Sequence, residues 1–355
     1  MNASRIIADH RRLLCDGVPL IDLRAPAEFA LGAFPGAVNL PLLTDAERAA
    51  VGTRYKECGQ HSAIELGQSL VSGATRSARI DAWRAFVATR PNALLYCWRG
   101  GLRSQIAQEW LSAVGVDIAR IAGGYKALRR VCIDVTREFS APSRLLVIGG
   151  RTGSGKTELL NEFSSSIDLE RLANHRGSAF GATFTPQPMP IAFENELAIE
   201  MLRRLPRPRV LLEDESRTIG RLALPETLHR ALQTAPLVVL DIARNERAQR
   251  IYQEYIEAPL SRAVTPDQLQ ERFSAAVDRI RRRLGGVRHA EVRGAIEAAF
   301  SVGRAAPDAH LMWIERLLEC YYDPMYEHQL TAKRSRILMI GDRAEIRAFL
   351  NGTLV

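Results

Sequence analysis

Nothing in this sequence is built to cross a membrane as a helix. No apolar run approaches the ~20 residues that span a bilayer. The opening string, MNASRIIADHRRLLCDG, carries charges throughout and has no apolar core of a signal peptide. A cytoplasmic location and no membrane partner are therefore expected. Cysteine is sparse as well: Cys15, Cys58, Cys97, Cys132 and Cys320 are odd in number, scattered, and form no Cys-x-x-Cys pair. That argues against a disulfide framework and against a zinc site, and no resident metal centre or tightly bound cofactor is expected. Internal repeats, low-complexity tracts and heptads are missing too, so solenoid and coiled-coil architectures drop out.

What remains has a globular composition, 46% hydrophobic and 25% charged. A chain of 355 residues is too long for one typical core, and two domains are expected. The formal net charge is +8, and arginines cluster at Arg203, Arg204, Arg207 and Arg209 and again at Arg279, Arg281, Arg282 and Arg283. Such a surface suits a polyanion, because neutralising phosphates supplies most non-specific nucleic-acid affinity. It equally describes a solvated basic face.

Short apolar runs alternate with helical patterns, the signature of α/β domains. GVPLIDLR, GAVNLPL and NALLYC read as buried strands, PAEFALGAF, 61–90 and RSQIAQEWLSAVG as helices, and DIARIAGGYKALRRVC as a closing strand and helix. After the polar stretch TREFSAPS a second α/β unit begins with the strand RLLVIGG, continues through RVLLEDES and PLVVLDI, becomes helical near residue 260, and ends in the short strand RILMI. The predicted division is a first parallel-sheet domain over 1–138, a linker over 139–143, a second α/β domain over 144–300 and a helical C-terminal extension packed on it over 301–355.

Two loops carry the chemistry. From Cys97 to Ser104 the spacing is Cys-x-x-Gly-x-x-Arg-Ser. Gly100 and Gly101 free the backbone so that successive N–H groups converge on an oxyanion, and Arg103 adds a fork of donors. Positive surroundings favour the thiolate, the nucleophilic form of cysteine. The loop follows a strand and opens a helix, where parallel sheets build ligand sites. The second loop, GRTGSGKT from Gly150 to Thr157, matches Gly-x-x-x-x-Gly-Lys-Thr between the strand RLLVIG and the helix TELLNEF. Gly150, Gly153, Ser154 and Gly155 shape a phosphate cradle, Lys156 reaches the terminal phosphates, and Thr157 is placed to hold Mg²⁺. RVLLEDES supplies Glu213, Asp214 and Glu215, of which Asp214 is the choice for the metal-side carboxylate. A nucleoside triphosphate is the default ligand, and any diphosphate ester meets the same chemistry.

The string LIDLRAPAEFALGAFPGAVNLP, with Asp22, Arg24, Glu28, Phe29, Gly32, Gly36, Ala37, Asn39 and Pro41, looks like a rhodanese domain. Joined to the P-loop, and followed by ANHRGSAFG (Ala173 to Gly181), FENEL (Phe193 to Leu197), LLEDESRTIG (Leu211 to Gly220) and YYDPMY (Tyr321 to Tyr326), it resembles the tRNA 2-selenouridine synthase family over nearly the whole chain. The resemblance implies selenium insertion at the wobble 2-thiouridine in the tRNA anticodon arm, with selenophosphate as donor and geranyl diphosphate as the source of an S-geranyl leaving group. It places the family's catalytic cysteine at Cys97, carrying selenium as a Cys–Se⁻ intermediate, with Gly100, Gly101 and Arg103 receiving the phosphate. The absence of an adenine-reading motif suggests that the P-loop holds the geranyl donor's diphosphate.

Rival readings stay open on the residues alone. Arg103 lies six residues after Cys97, where many single-domain rhodaneses place the loop arginine after five, and six is the spacing of cysteine phosphatases. Tyr96 stands where such a phosphatase usually has histidine. A plain sulfurtransferase needs the same cradle, and a P-loop RNA-binding module with a degenerate first domain is the non-enzymatic alternative. His175 is a candidate loop residue. Gly67, inside a helical pattern, suggests close packing or approach to the active loop. Tyr321, Tyr322 and Tyr326 read as helix-end packing or a base-stacking cluster, and the other four cysteines as structural.

Overall fold

The computed structural model describes residues 5–262, 264–301 and 307–354. It is α/β, as expected, and divides into two compact units. One comprises the chain up to Glu138 together with Pro188–Arg203, the other Phe139–Gln187 together with the chain from Arg204 onward.

The first unit is built on a five-stranded parallel sheet of β1 (Ile6–Ile7), β2 (Leu20–Asp22), β3 (Ala37–Asn39), β4 (Leu94–Tyr96) and β5 (Ala119–Ile121), ordered β1-β5-β4-β2-β3. β2 and β4 are buried along their whole length, as unbroken apolar strands must be in a parallel sheet covered on both faces. Helix Asp45–Leu70 opens on a capping box in which Glu47 N donates to Thr44 Oγ1 and Thr44 N donates to Glu47 Oε2. It kinks at Gly59 (φ +80°). The single helical stretch predicted over 61–90 is two elements, the end of this helix and Gly73–Thr89. The chain breaks at Val71 and Ser72, and the left-handed Gly73 (φ +50°) starts the next helix. A Cβ on Gly67 would meet only Val51, at 3.7 Å, so the expected close approach is absent.

Chain order alone assigns the helix at Pro190–Arg204 to the second domain, yet its bonds lie in the first unit. Asn195 Nδ2 donates to the Ala33 carbonyl (3.1 Å), Arg129 pairs with Glu194 and donates to Asn195 Oδ1 (2.9 Å), and Arg203 Nε donates to the Cys15 carbonyl (3.2 Å). Gly32 is the point of closest approach, since a Cβ there would stand 2.6 Å from Ile191.

Asp22 and Arg24 form an ion pair that is almost wholly buried, at 0% and 1% exposure. Arg24 Nε and Nη2 both reach Asp22 Oδ2 (2.9 and 2.7 Å), Tyr96 Oη donates to the same oxygen (2.7 Å), and Arg24 Nη2 also donates to the Gly32 carbonyl. The guanidinium lies 3.8 Å from the ring centre of Tyr125, which stacks on Trp98. Asn39 Nδ2 donates to the Asp22 and Arg24 carbonyls and ties β3 to the same knot.

The second unit carries a parallel sheet of β6 (Leu145–Gly150), β7 (Ser166–Ile167), β8 (Val210–Glu213), β11 (Leu237–Leu240) and β12 (Ile337–Gly341), ordered β12-β11-β6-β8-β7. A small hairpin, β9 (Thr218–Ile219) with β10 (Leu222–Ala223), stands apart from it. β12 pairs with β11, so the end of the chain completes the sheet and is not merely an added helical layer. Helices Pro266–Leu284, Gly286–Ser301 and Pro307–Leu317 gather a separate aromatic core around Phe273, Trp313 and Phe180.

Removing one partner of a buried pair strands the other charge. Asp22→Ala is therefore expected to destabilise the first unit by ~3–5 kcal/mol, measured as a lower urea midpoint in tryptophan fluorescence.

Candidate functional site

In the first unit β4 delivers Cys97 to the carboxyl edge of the sheet, and helix Leu102–Ala113 starts behind it. Cys97 is buried, with Sγ 3.4 Å from Ser104 Oγ, which donates to the Gly101 carbonyl. The loop is pressed onto a second glycine pair. Tyr125 N donates to the Cys97 carbonyl (2.9 Å) and Lys126 N to the Trp98 carbonyl (3.1 Å). A Cβ on Gly124 (φ +56°) would stand 2.2 Å from the Cys97 carbonyl oxygen, and one on Gly100 (φ +63°) 2.7 Å from the Gly123 and Gly124 nitrogens. Gly101 is the residue before the helix, with open space where its Cβ would be. Among the described residues, none accepts a hydrogen bond from the backbone N–H groups of residues 98–103. A run of free donors ending at a helix N-terminus is an anion cradle.

Arg103 borders the cradle, but its guanidinium is committed to Glu28, with Nη1 to Oε2 at 2.7 Å. Burial pushes the Glu28 carboxyl up, yet the bond and charge of Arg103 hold it below the usual range. Glu28 also accepts from Ala25 N at the start of helix Pro26–Ala30. Sequence reasoning placed Glu28 in the rhodanese-like string without this role. Tyr96 is spent on Asp22, and burial followed by the Asp22 charge pushes its phenol far up. Of the remaining cysteines, Cys132 is buried, which pushes its thiol up to about 12. Cys58 is exposed, so a packing role does not describe it, and Cys15 and Cys320 are half-buried.

In the second unit β6 ends in the P-loop, and the three expected glycines have strict steric reasons. Cβ atoms on Gly150, Gly153 and Gly155 would come within 2.7–2.8 Å of Leu240 O, Ile251 and Arg250, and all three have positive φ. Ser154 is buried, and its Oγ has no partner among the described residues. Lys156 Nζ donates to the Gly150 carbonyl (3.1 Å). The loop is braced by Arg247, which donates to the Thr152 carbonyl (3.1 Å) and is forked onto Asp323 (2.9 and 2.8 Å), both buried.

Asp214 does not occupy the metal-side position assigned to it. Its carboxylate is held by Lys333 (2.6 Å) and Arg336 (3.4 Å). The acid on the P-loop threonine is Glu213, whose Oε1 accepts from Thr157 Oγ1 at 2.5 Å, while Glu170 Oε2 accepts from the same hydroxyl at 3.3 Å. The reason is strand alternation: adjacent side chains at the end of β8 point to opposite sides. Carboxylate oxygens of Glu170, Glu213 and Glu215 lie within 4.8 Å of one another. Burial first and then neighbouring carboxylates push all three up, Glu215 to about 8. Oxygen donors so grouped match a hard divalent cation. No sequence pattern had marked Glu170.

Lys156, Thr157, Glu170, Asp214 and Glu215 border a cavity of about 530 Å³, which also takes in His175, Arg176, Tyr255, Tyr322 and Tyr326, while Glu213 lies buried behind it. Tyr255 and Tyr322 sit in widened π-helical turns, Gln253–Glu257 and Leu318–Tyr322, a distortion frequent at functional sites. Tyr321 packs edge-on against Tyr322, and both are buried, so only Tyr322 and Tyr326 line the cavity and the cluster is no open stacking surface. Burial, then Arg272 and Arg279, lower the His175 pKa. The cavity adjoins a narrow apolar slot of about 30 Å³, shared through Thr152, Ser178, Ile251, Tyr255 and Tyr322 and walled by Phe180, Phe273 and Trp313.

Comparison with known proteins covers both units. A rhodanese-like domain model matches residues 8–130, and a model described as the tRNA 2-selenouridine synthase AAA domain matches 143–354. Proteins named tRNA 2-selenouridine synthase are similar over nearly the full length. The one from Hahella chejuensis is 47% identical, covering 96% of this chain and 93% of its own. That from Shewanella frigidimarina is 44% identical over 97% of both, and that from Cupriavidus necator 45% identical over 97% and 96%.

Gly124 holds the Cys97 loop by contact that no side chain permits. Gly124→Ala is expected to destabilise the first unit by ~1–3 kcal/mol, the cost of an unfavourable backbone conformation, measured by urea unfolding.

Proposed function

The chain belongs to the tRNA 2-selenouridine synthase family, and from that premise we propose that it exchanges sulfur for selenium at a wobble 2-thiouridine of tRNA in two steps. In the first, the P-loop binds geranyl diphosphate through its free N–H groups and Lys156. The thiocarbonyl sulfur of the base attacks the geranyl C1, an S–C bond forms, the C–O bond breaks, and diphosphate leaves. In the second, selenophosphate docks in the Cys97 cradle and the Cys97 thiolate attacks its phosphorus: an S–P bond forms, the P–Se bond breaks and selenide leaves toward the base, after which water cleaves the S–P bond, releasing phosphate and restoring the thiol. At the base a C2–Se bond forms, the C2–S bond breaks, and geranylthiol carries the sulfur away. Selenium at the selenide level keeps this exchange redox-neutral.

The observation that carries the geranyl reading is the adjacency of two unlike spaces. The polar cavity of the P-loop shares Thr152, Ser178, Ile251, Tyr255 and Tyr322 with a small aromatic slot walled by Phe180, Phe273 and Trp313. A nucleotide base would need hydrogen-bonding partners there, whereas a hydrocarbon chain needs only apolar walls. At about 30 Å³ the slot admits a hydrocarbon chain only if these side chains part. The free N–H run at residues 98–103 supports the second step, because it suits the phosphate part of the donor.

The residues beside the P-loop fit a Mg²⁺ ion. Thr157 with Glu213, Glu170 and Glu215 would hold it, and Glu213 Oε2 is a buried oxygen without a partner among the described residues. When bound, the ion supplies positive charge against the leaving diphosphate.

The two steps separate by variant. Cys97→Ser is expected to abolish 2-selenouridine while S-geranyl-2-thiouridine accumulates. Lys156→Ala is expected to lose geranylation and yet still convert tRNA supplied already geranylated. Nucleoside mass spectrometry after digestion reads both, and selenation by the Cys97→Ser protein at the unsubstituted rate would refute the assignment. For the cation, Mg²⁺ is expected to raise the melting temperature of the unsubstituted protein. Glu213→Gln, which removes one of three mutually repelling carboxylates, is expected to melt higher in chelator and to respond to Mg²⁺ weakly or not at all.

A further inference from the structure

Beside the P-loop cavity stand three arginines with no salt bridge to an acid among the described residues. Arg272 and Arg279 lie two turns apart on one face of helix Pro266–Leu284. Arg176 reaches toward them from the loop that follows helix Leu169–Ala173. Their bonds go to neutral groups. Arg279 Nη2 donates to the Ala179 carbonyl (2.7 Å), and Arg176 Nη1 donates to the Glu254 carbonyl (3.4 Å) while lying over the Tyr255 ring (4.6 Å). Elsewhere around the P-loop the chain pairs its arginines with acids, as at Arg151, Arg247 and Arg250. In this trio burial, then the charges of Arg176 and Arg279, lower the Arg272 pKa. Three guanidiniums without a carboxylate partner favour an incoming anion.

The fourth member of the group is an aromatic ring. Phe184 is 53% exposed, and Arg272 lies over it, 4.5 Å from the ring centre. A ring propped by a guanidinium beside further arginines is how proteins hold single-stranded nucleic acid, the base stacking on the ring and the backbone phosphates meeting the cations. A free diphosphate would use the arginines and leave the ring idle. An RNA duplex would offer phosphates but no splayed base.

We infer that Arg176, Arg272, Arg279 and Phe184 form the docking edge for an unpaired segment of the RNA substrate, with a base on Phe184 and its neighbouring phosphates among the arginines. Arg176, His175 and Thr183 also line the P-loop cavity, so RNA held on this edge sits at the cavity mouth. The inference rests on the reading that the substrate is tRNA, whose anticodon loop is the unpaired segment.

The test is fluorescence anisotropy of full-length protein with labelled tRNA over a range of salt, alongside calorimetric binding of geranyl diphosphate. Phe184→Ala is expected to weaken tRNA binding about tenfold, and Phe184→Trp to restore it. The Arg272→Gln, Arg279→Gln double variant is expected to weaken binding and to reduce the slope of log affinity against log salt by about one to two. Geranyl diphosphate affinity is expected to stay within about twofold in all of them. Unchanged tRNA affinity in both Phe184→Ala and the arginine double variant overturns the inference and leaves the functional reading intact. A matching loss of geranyl diphosphate affinity also overturns it and reassigns the arginines to the diphosphate. Failure of the unsubstituted protein to bind tRNA overturns the functional reading itself, and the inference falls with it.

Discussion

A buried arginine paired with a buried aspartate stands under each of the two phosphate-type loops. Arg24 with Asp22 lies beneath the Cys97 loop and reaches it through the stack of Tyr125 on Trp98. Arg247 with Asp323 lies beneath the P-loop and donates directly to the Thr152 carbonyl. An anion-binding loop must leave its own N–H groups unpaired, so it cannot be held by the hydrogen bonds that rigidify ordinary backbone. Something else must fix it, and a desolvated fork of charge-assisted bonds is directional and strong. Such pairs contribute little net stability against an apolar substitute. What they supply is a further fixed support, beside the carbonyl bonds and glycine contacts, for loops whose own N–H groups stay unpaired.

Electrostatics divides the same way in both units. Each loop faces its ligand with neutral donors and glycines, while the charged groups stand to the side. Arg103 is held off by Glu28, and Lys156 rests on the Gly150 carbonyl. The carboxylate trio at Glu170, Glu213 and Glu215 has the opposite character, a concentration of like charge in a buried place that a cation relieves. The cavity beside this trio carries the glycine cradle and shares walls with a small aromatic slot.

Much of this was legible from residues alone, for physical reasons. Cys97, Gly100 and Arg103, and Gly150, Gly153, Gly155, Lys156 and Thr157, are close in sequence because a loop that wraps an anion is local. Strands such as VPLIDL and RLLVIG are readable because a buried parallel strand is apolar on both faces. The breaks in the helices were less readable: the pattern over 61–90 continues across Val71 and Ser72, and only Gly73 in a left-handed conformation interrupts it. In YYDPMY the tyrosines drew attention, yet Asp323 between them is the residue that anchors the P-loop through Arg247.

Local chemistry was thus determined by the sequence: two anion-binding loops, their order, the α/β class of each half, and the glycines that each turn demands. Tertiary structure decided every partnership across distance. It chose Glu213 over Asp214 for the side of Thr157, brought Glu170 and Glu215 to it, gave Arg103 to Glu28, and moved residues 190–203 into the first unit. The reason is geometric. Conformation around one residue is set by its neighbours in the chain, whereas which carboxylate meets which cation depends on strand register, side alternation and the packing of segments dozens of residues apart.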